Sequence, residues 1–222
     1  MTLAEAIGDK IEIVSFADRF FDQNAMVLRR RDTRSALVID PGLQVAQVSD
    51  YIDQNDIKVD FILLTHGHVD HVFGVPAIKE QTGAPTYMHP LDREQLERNP
   101  KVVRQFGLDP DVLGTPIIDH ELEEGRAVGW EDLAFDVIHT PGHTRGSVTF
   151  LLGQNLFGGD TLFRRSVGRS DLPGGDFEAL MASIQGKLYQ LPPETIVYPG
   201  HGPTTTIGEE MRENPFISVD GL

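Results

Sequence analysis

Apolar runs broken by polar and glycine-rich stretches set the first half of the chain. KIEIVSF (10–16) and NAMVLRR (24–30) predict strands, and SALVID (35–40) predicts a third, stopped by the turn signal DPG at Asp40 to Gly42. From Leu43 to Gln54 the apolar positions Val45, Val48 and Ile52 recur at helical spacing. VDFILL (59–64) is a continuous apolar run, the pattern of a strand covered on both faces. A helix is expected near Gly74 to Gln81 and a short strand at PTYMH (85–89). Residues 91–125 are polar and predict a helix or two plus loop.

The second half is richer in strands: LAFDVIHT (133–140), SVTFLLG (147–153) and NLFGG (155–159). Asp176 is a good N-cap for a following helix. Phe177, Leu180, Met181, Ile184, Leu188 and Leu191 fall on one helical face and read as core. TIVYPG (195–200) predicts a last inner strand, and a short C-terminal helix follows. Strands and helices interleave, so the class is α/β. No Pro/Gly/Ser-rich linker divides the chain, and residues 1–222 read as a single domain.

The net charge is −15. Phosphate binding needs clustered Lys and Arg, so the balance argues against nucleic acid, and equally against an anionic membrane. A small-molecule substrate fits better, and bound divalent cations would offset part of the charge. Cysteine is absent, which excludes disulfides, thiolate ligands and a cysteine nucleophile. The start MTLAEAIGDK lacks the basic and apolar regions of a secretory signal, and no apolar run reaches the ~20 residues of a membrane span. A cytoplasmic location is the default expectation.

The candidate chemistry begins in FILLTHGHVDH (61–71), where an apolar strand runs into His66, His68, Asp70 and His71. Loops after buried strands are where open α/β proteins place their chemistry. Spacing of two aims the imidazoles of His66 and His68 at one point from an extended segment, and Asp70 and His71 follow after a bend. Five of the eight histidines sit in three like settings, THGHVDH, TPGHTRG and YPGHG, the latter two supplying His143 and His201. LFGGD supplies Asp160 in the same strand-then-glycine manner, and Gly158 and Gly159 allow close backbone approach. One solvated histidine would mean little, but this recurrence predicts a metal site. Imidazole and carboxylate suit Zn, Fe, Ni or Cu, and carboxylate also Mn and Mg. Five histidines with two aspartates exceed the need of one tetrahedral ion. Two ions sharing a carboxylate would use all seven, and water between them would ionise near neutral pH.

HxHxDH followed in order by His, Asp and His resembles the metallo-β-lactamase superfamily, over nearly the whole chain. The resemblance implies an αβ/βα four-layer sandwich with the metals at one edge of two facing sheets. It implies that His66, His68 and His143 hold one metal, that Asp70, His71 and His201 hold a second, and that Asp160 bridges them. GDTLFRRSVGRSDLPGGD (159–176), with DPG at 40, HTPGHT at 139 and NPF at 214, is similar to the glyoxalase II (hydroxyacylglutathione hydrolase) branch. Lactamases of one major class use a Cys ligand, so that subfamily is excluded. Only 21 residues follow His201, so the expectation is a short form without the C-terminal helical domain that helps bind glutathione in longer enzymes.

The implied activity is hydrolysis of a thioester such as S-lactoylglutathione by a metal-bridging hydroxide, with Asp70 orienting it. Zinc is the first expectation for the two ions, with Fe or Mn as alternatives. A rival is a persulfide dioxygenase with one iron on His66, His143 and Asp160. Hydrolysis of another ester, lactone or lactam is a further alternative. Arg164, Arg165 and Arg169 stand close together after Asp160; each could bind a substrate carboxylate or form an internal ion pair. His139 either touches a ligand or bonds to backbone. His89 and His120 read as structural or surface residues, and Tyr87 and Tyr198 as strand packing.

Overall fold

The computed structural model describes residues 2–7, 10–105, 107, 109, 111, 114 and 116–217. The other positions of 106–115, within the polar stretch expected to be helix and loop, lie outside the described residues. The chain forms two compact units: residues 1–88 with 93–121, and residues 89–92 with 122–222.

The first unit holds strands β1 (Thr2–Ile7), β2 (Ile11–Ala17), β3 (Asn24–Arg30), β4 (Ser35–Ile39) and β5 (Lys58–Leu63). It also holds helices α1 (Val45–Gln54), α2 (Val69–Val72) and α3 (Val75–Thr82), strand β6 (Thr86–Met88), helix α4 (Arg93–Gln105) and strand β7 (His120–Glu121). One seven-stranded sheet runs β1 to β7 in chain order. The β1 to β4 pairings are antiparallel, and those from β4 to β7 are parallel. Val14, Val27, Val38 and Ile62 pack with Val48 and Ile52 of α1 and Val75 and Ile78 of α3. Leu28, Leu37 and Leu63, at the alternate strand positions, are equally buried. Burial of both faces explains the unbroken apolar character at the end of β5, although Asp60 and Phe61 are only half-buried. Helix α3 stops at Gly83, whose φ of 70° suits a residue without Cβ.

The second unit holds β8 (Val128–Trp130), β9 (Leu133–His139), β10 (Val148–Leu152), β11 (Asn155–Gly159), the hairpin β12 (Leu162–Phe163) and β13 (Ser166–Val167), α5 (Phe177–Gly186), β14 (Ile196–Pro199), β15 (Thr205–Thr206) and α6 (Ile207–Glu213). Its six-stranded sheet has the order β15-β14-β11-β10-β9-β8, so β14 is an inner strand as expected. Asp176 caps α5, accepting from Ala179 N at 3.0 Å. Leu180, Ile184 and Leu188 are fully buried against Leu156, Val197 and Ile207. Two ends of the predicted apolar face differ. Phe177 is 51% exposed, and Leu191 is only partly buried. Phe177 occupies the first turn, and Leu191 follows a short 3₁₀ turn at Leu188–Gln190 that rotates it off the stripe. Among the described residues no helix is long and apolar enough to cross a membrane.

Candidate metal centre

In the first unit the donors hang on the exit of β5. His68 is still extended (φ −68°, ψ 150°), and α2 starts one residue later. That change of backbone is the bend expected after His68, and it turns Asp70 and His71 away from the strand direction. The rings nevertheless stay close. His66 and His68 meet edge-on with centroids 4.8 Å apart, and His66 and His71 lie at 4.1 Å. All three are buried, while Asp70 keeps one-fifth of its side chain exposed.

Asp40 sets the orientation of two of these rings, a role that sequence reasoning missed. One of its oxygens accepts from Thr65 N (2.8 Å); the other accepts from Thr65 Oγ1 (2.6 Å) and from His71 Nδ1 (2.9 Å). Thr65 has a single hydroxyl proton and commits it to Asp40, so at 3.1 Å it can only accept from His66 Nδ1. Both imidazoles therefore carry a proton on Nδ1, which in the neutral ring leaves the lone pair on Nε2. His71 Nε2 then stands 3.8 Å from Asp70 Oδ2, lone pair toward carboxylate. Asp40, His66 and His71 also bring ligand atoms within 4.8 Å of one another. Because the oxygens of Asp40 are spent on Thr65 and His71, Asp40 is an orienting group. Asp40 has φ 48° although it precedes a proline, a backbone region that costs about 1–3 kcal/mol and persists where contacts over-determine it. Asn99 of α4 supports the same loop by donating to the Gly67 carbonyl oxygen at 3.0 Å.

The second unit repeats the logic. His143 Nδ1 donates to the Arg169 carbonyl oxygen at 2.7 Å, which leaves the lone pair on Nε2 in the neutral ring. That nitrogen lies 3.4 Å from Asp160 Oδ2, and His201 Nε2 lies 3.4 Å from the same oxygen. A single carboxylate oxygen thus faces two ring nitrogens. Thr140 Oγ1 and Thr161 Oγ1 meet at 3.1 Å and tie the His143 loop to the Asp160 loop. Gly168 fits against this corner because a Cβ there would stand 1.8 Å from Asp160 O and 3.3 Å from His143 Nδ1.

The donor set passes the test for a divalent cation. Imidazole lone pairs aimed at carboxylate oxygens are mutually repulsive until a positive charge is shared between them. His66, His71 and His143 are each held by a hydrogen bond on the far nitrogen, the support that metal-ligating histidines use. His66, His68, Asp70 and His71 come together in one unit, and His143, Asp160 and His201 in the other.

The remaining predicted residues fall into place differently. Arg165 pairs with Glu213, and Arg169 lies 2.8 Å from Asp171. Arg169 holds the Asp171 carboxyl down at about 2. Arg164 is exposed at the turn of the β12–β13 hairpin, whose Phe163 packs edge-on against His201 at 5.9 Å. His139 Nε2 donates to the Arg145 carbonyl oxygen at 2.8 Å, the backbone-bonded alternative, and its ring stacks on His89 at 4.3 Å. Tyr198 stacks on Phe157, and Tyr87 packs against Phe61 and His120, so both serve packing.

Two layouts of His and Asp on mixed sheets flanked by helices define a metallo-hydrolase class, and the sequence agrees: the family model described as "Metallo-beta-lactamase superfamily" matches residues 18–201, and the chain belongs to that superfamily. The fold is likewise that of the metallo-β-lactamases. Among curated relatives it is 35% identical over 207 residues to the hydroxyacylglutathione hydrolase GloC of Haemophilus influenzae, covering 89% of this chain and 94% of that one. Among solved structures it is similar to TTHA1623 in a di-iron-bound form, with TM-score 0.82, 39% identity and coverage of 91% and 99%. It is similar also to the B3 metallo-β-lactamase BLEG-1, with TM-score 0.81, 37% identity and coverage of 91% and 98%.

Proposed function

We propose that this chain is a metal-dependent thioesterase of the glyoxalase II type, acting on S-lactoylglutathione or a related thioester. In this reading the two donor sets serve one binuclear centre. His66, His68 and His143 hold the first ion, and Asp70, His71 and His201 hold the second. Asp160 is shared between them. The observation that carries the reading is the single Asp160 oxygen 3.4 Å from both His143 Nε2 and His201 Nε2. The likeness to GloC across nearly its whole length favours a thioester over other acyl substrates. Zinc fits the imidazole-rich set, and the di-iron form of a relative supports iron as an alternative filling.

The bound ions would lower the pKa of water and polarise the carbonyl oxygen of the substrate. The chain's own residues supply the rest. Asp70, partly exposed, orients the attacking water. Asp40 and the Arg169 carbonyl keep His66, His71 and His143 in the tautomer that presents Nε2. The new C–O bond forms as the C–S bond breaks, and the water proton ends on the departing sulfur or in solvent. A thiol of pKa ~8.5 leaves without a dedicated acid. Arg164 is exposed and offers a guanidinium for a substrate carboxylate, as glutathione carries.

The test is thioester loss with purified protein, assayed as isolated, after chelation to demonstrable metal removal, and after reloading. Turnover that disappears with the metal and returns with zinc or iron supports the proposal. Full turnover in the metal-free protein contradicts it. β-Lactam, lactone and persulfide substrates run in parallel identify a different chemistry at the same site.

A further inference from the structure

Residues 89–92 belong to the second unit although the chain on either side of them belongs to the first. This short segment grips both ends of the loop that carries His143. At one end His89 lies flat on His139, with 9° between the ring planes. At the other end Asp92, only 1% exposed, turns its carboxylate into the loop. One of its oxygens accepts from Gly146 N at 2.7 Å, and the other accepts from Thr144 Oγ1 at 2.8 Å. Thr144 directly follows His143. Its hydroxyl proton is committed to Asp92, so Ser147 Oγ, 2.7 Å away, donates to Thr144 Oγ1 and in turn accepts from Thr144 N at 3.1 Å. The result is a one-way chain of hydrogen bonds, Ser147 to Thr144 to Asp92, in which each bond polarises the next. All three side chains are buried. Gly146 fits only as glycine, because a Cβ there would stand 2.7 Å from Asp92 Oδ1 and 2.8 Å from Asp92 N.

The bonds of this network run to backbone and hydroxyl groups of the loop. What it fixes is the backbone from which the imidazole projects, while the Arg169 carbonyl fixes the ring itself. We propose that Asp92 is a positioning residue: it locks the TPGHTRG loop so that His143 Nε2 is held ready beside Asp160, and its loss weakens metal binding without removing a ligand. The inference rests on the reading of His143 and Asp160 as metal ligands. It does not depend on which substrate is cleaved.

The experiment compares the full chain with Asp92→Asn, Thr144→Val and Thr144→Ser. Zinc affinity is measured by competition with a chromophoric chelator, and thermal melting of the metal-free proteins is measured alongside. Loss of an outer hydrogen-bond partner at a metal site costs about 10–100-fold in affinity. Asp92→Asn and Thr144→Val are expected to bind zinc about 10–100-fold more weakly, whereas Thr144→Ser, which keeps the hydroxyl, binds like the parent. Excess zinc should restore most of the turnover of the weakened variants. Wild-type affinity in a folded Asp92→Asn overturns the proposal. If Asp92→Asn does not fold, Thr144→Val decides on the same criterion, at a melting temperature close to that of the parent. A parent chain that binds no zinc overturns both this inference and the proposed function. A parent that binds zinc but cleaves no thioester defeats only the proposed function, and the affinity series still decides the role of Asp92.

Discussion

At the scale of single residues, the arrangement depends on carboxylates that never need to touch a metal. Asp40 is the clearest case, since it orders Thr65, His66 and His71 together. Asp40→Asn keeps the shape but places an amide N–H against one of the present donors, a conflict worth about 1–3 kcal/mol in a buried site. Its zinc affinity should fall about 10–100-fold, measured by chelator competition; unchanged affinity would show that His66 and His71 need no such support. Arg164→Ala should raise KM for an anionic thioester and leave kcat nearly unchanged, because the guanidinium is proposed to bind substrate and not to act on the reacting atoms. Equal KM with charged and uncharged thioesters would remove that role. Arg169 and Asp171 offer a pH test. Hydrogen bonding from Arg169 lowers the Asp171 carboxyl from 3.8 to about 2. A depressed carboxyl pKa means that the pairing is complete above pH ~4 and is lost as pH falls through about 2. Asp171 carboxyl NMR shifts should therefore stay flat down to pH 3, and titrate near pH 4 in Arg169→Ala. Both groups are solvent-exposed, so melting at neutral pH should not change.

At the scale of elements, the legible parts of the fold were those whose burial leaves a period in the sequence. Helix α1 shows Val48 and Ile52 facing the core, as their spacing predicts. Strand β3 has the expected bounds, Asn24–Arg30, with its first five residues buried. Helix α4 was not legible as one helix: it buries only Asn99 and Val103 and carries Pro100, so no apolar stripe marks it. Strands β7, β12, β13 and β15 span two residues each, too short for alternation to register. Asp176 was legible as a cap because its type and place precede a clear stripe. Asp176→Ala should cost about 1 kcal/mol, lowering the melting temperature by ~2–4 °C in a chain of this size; no change would mean that packing alone starts α5. Gly168→Ala should be far more damaging, since its Cβ would overlap the Asp160 carbonyl oxygen. Metal content per folded chain should drop with it, read by elemental analysis.

At the scale of the whole molecule, the groups proposed to bind metal stand in local motifs and the groups that support them do not, for one reason. His66, His68, Asp70 and His71 sit within six residues, and His143, Asp160 and His201 each stand in a glycine-marked strand exit. Asp40, by contrast, reaches Thr65 across 25 positions, and Asp92 reaches Gly146 across 54. No local pattern records such a pairing. The single-domain expectation and the proposed union of the two donor sets belong to this scale as well. A net charge of −15 makes divalent cations structurally welcome. Seven imidazole and carboxylate groups are proposed to bind a pair of cations that act on a thioester. The measurement that tests this most directly is metal stoichiometry titrated against S-lactoylglutathione turnover in the same sample. Turnover is expected to rise with metal and level off at two ions per chain. Turnover independent of metal content, or a chain that binds no divalent metal at all, would contradict it.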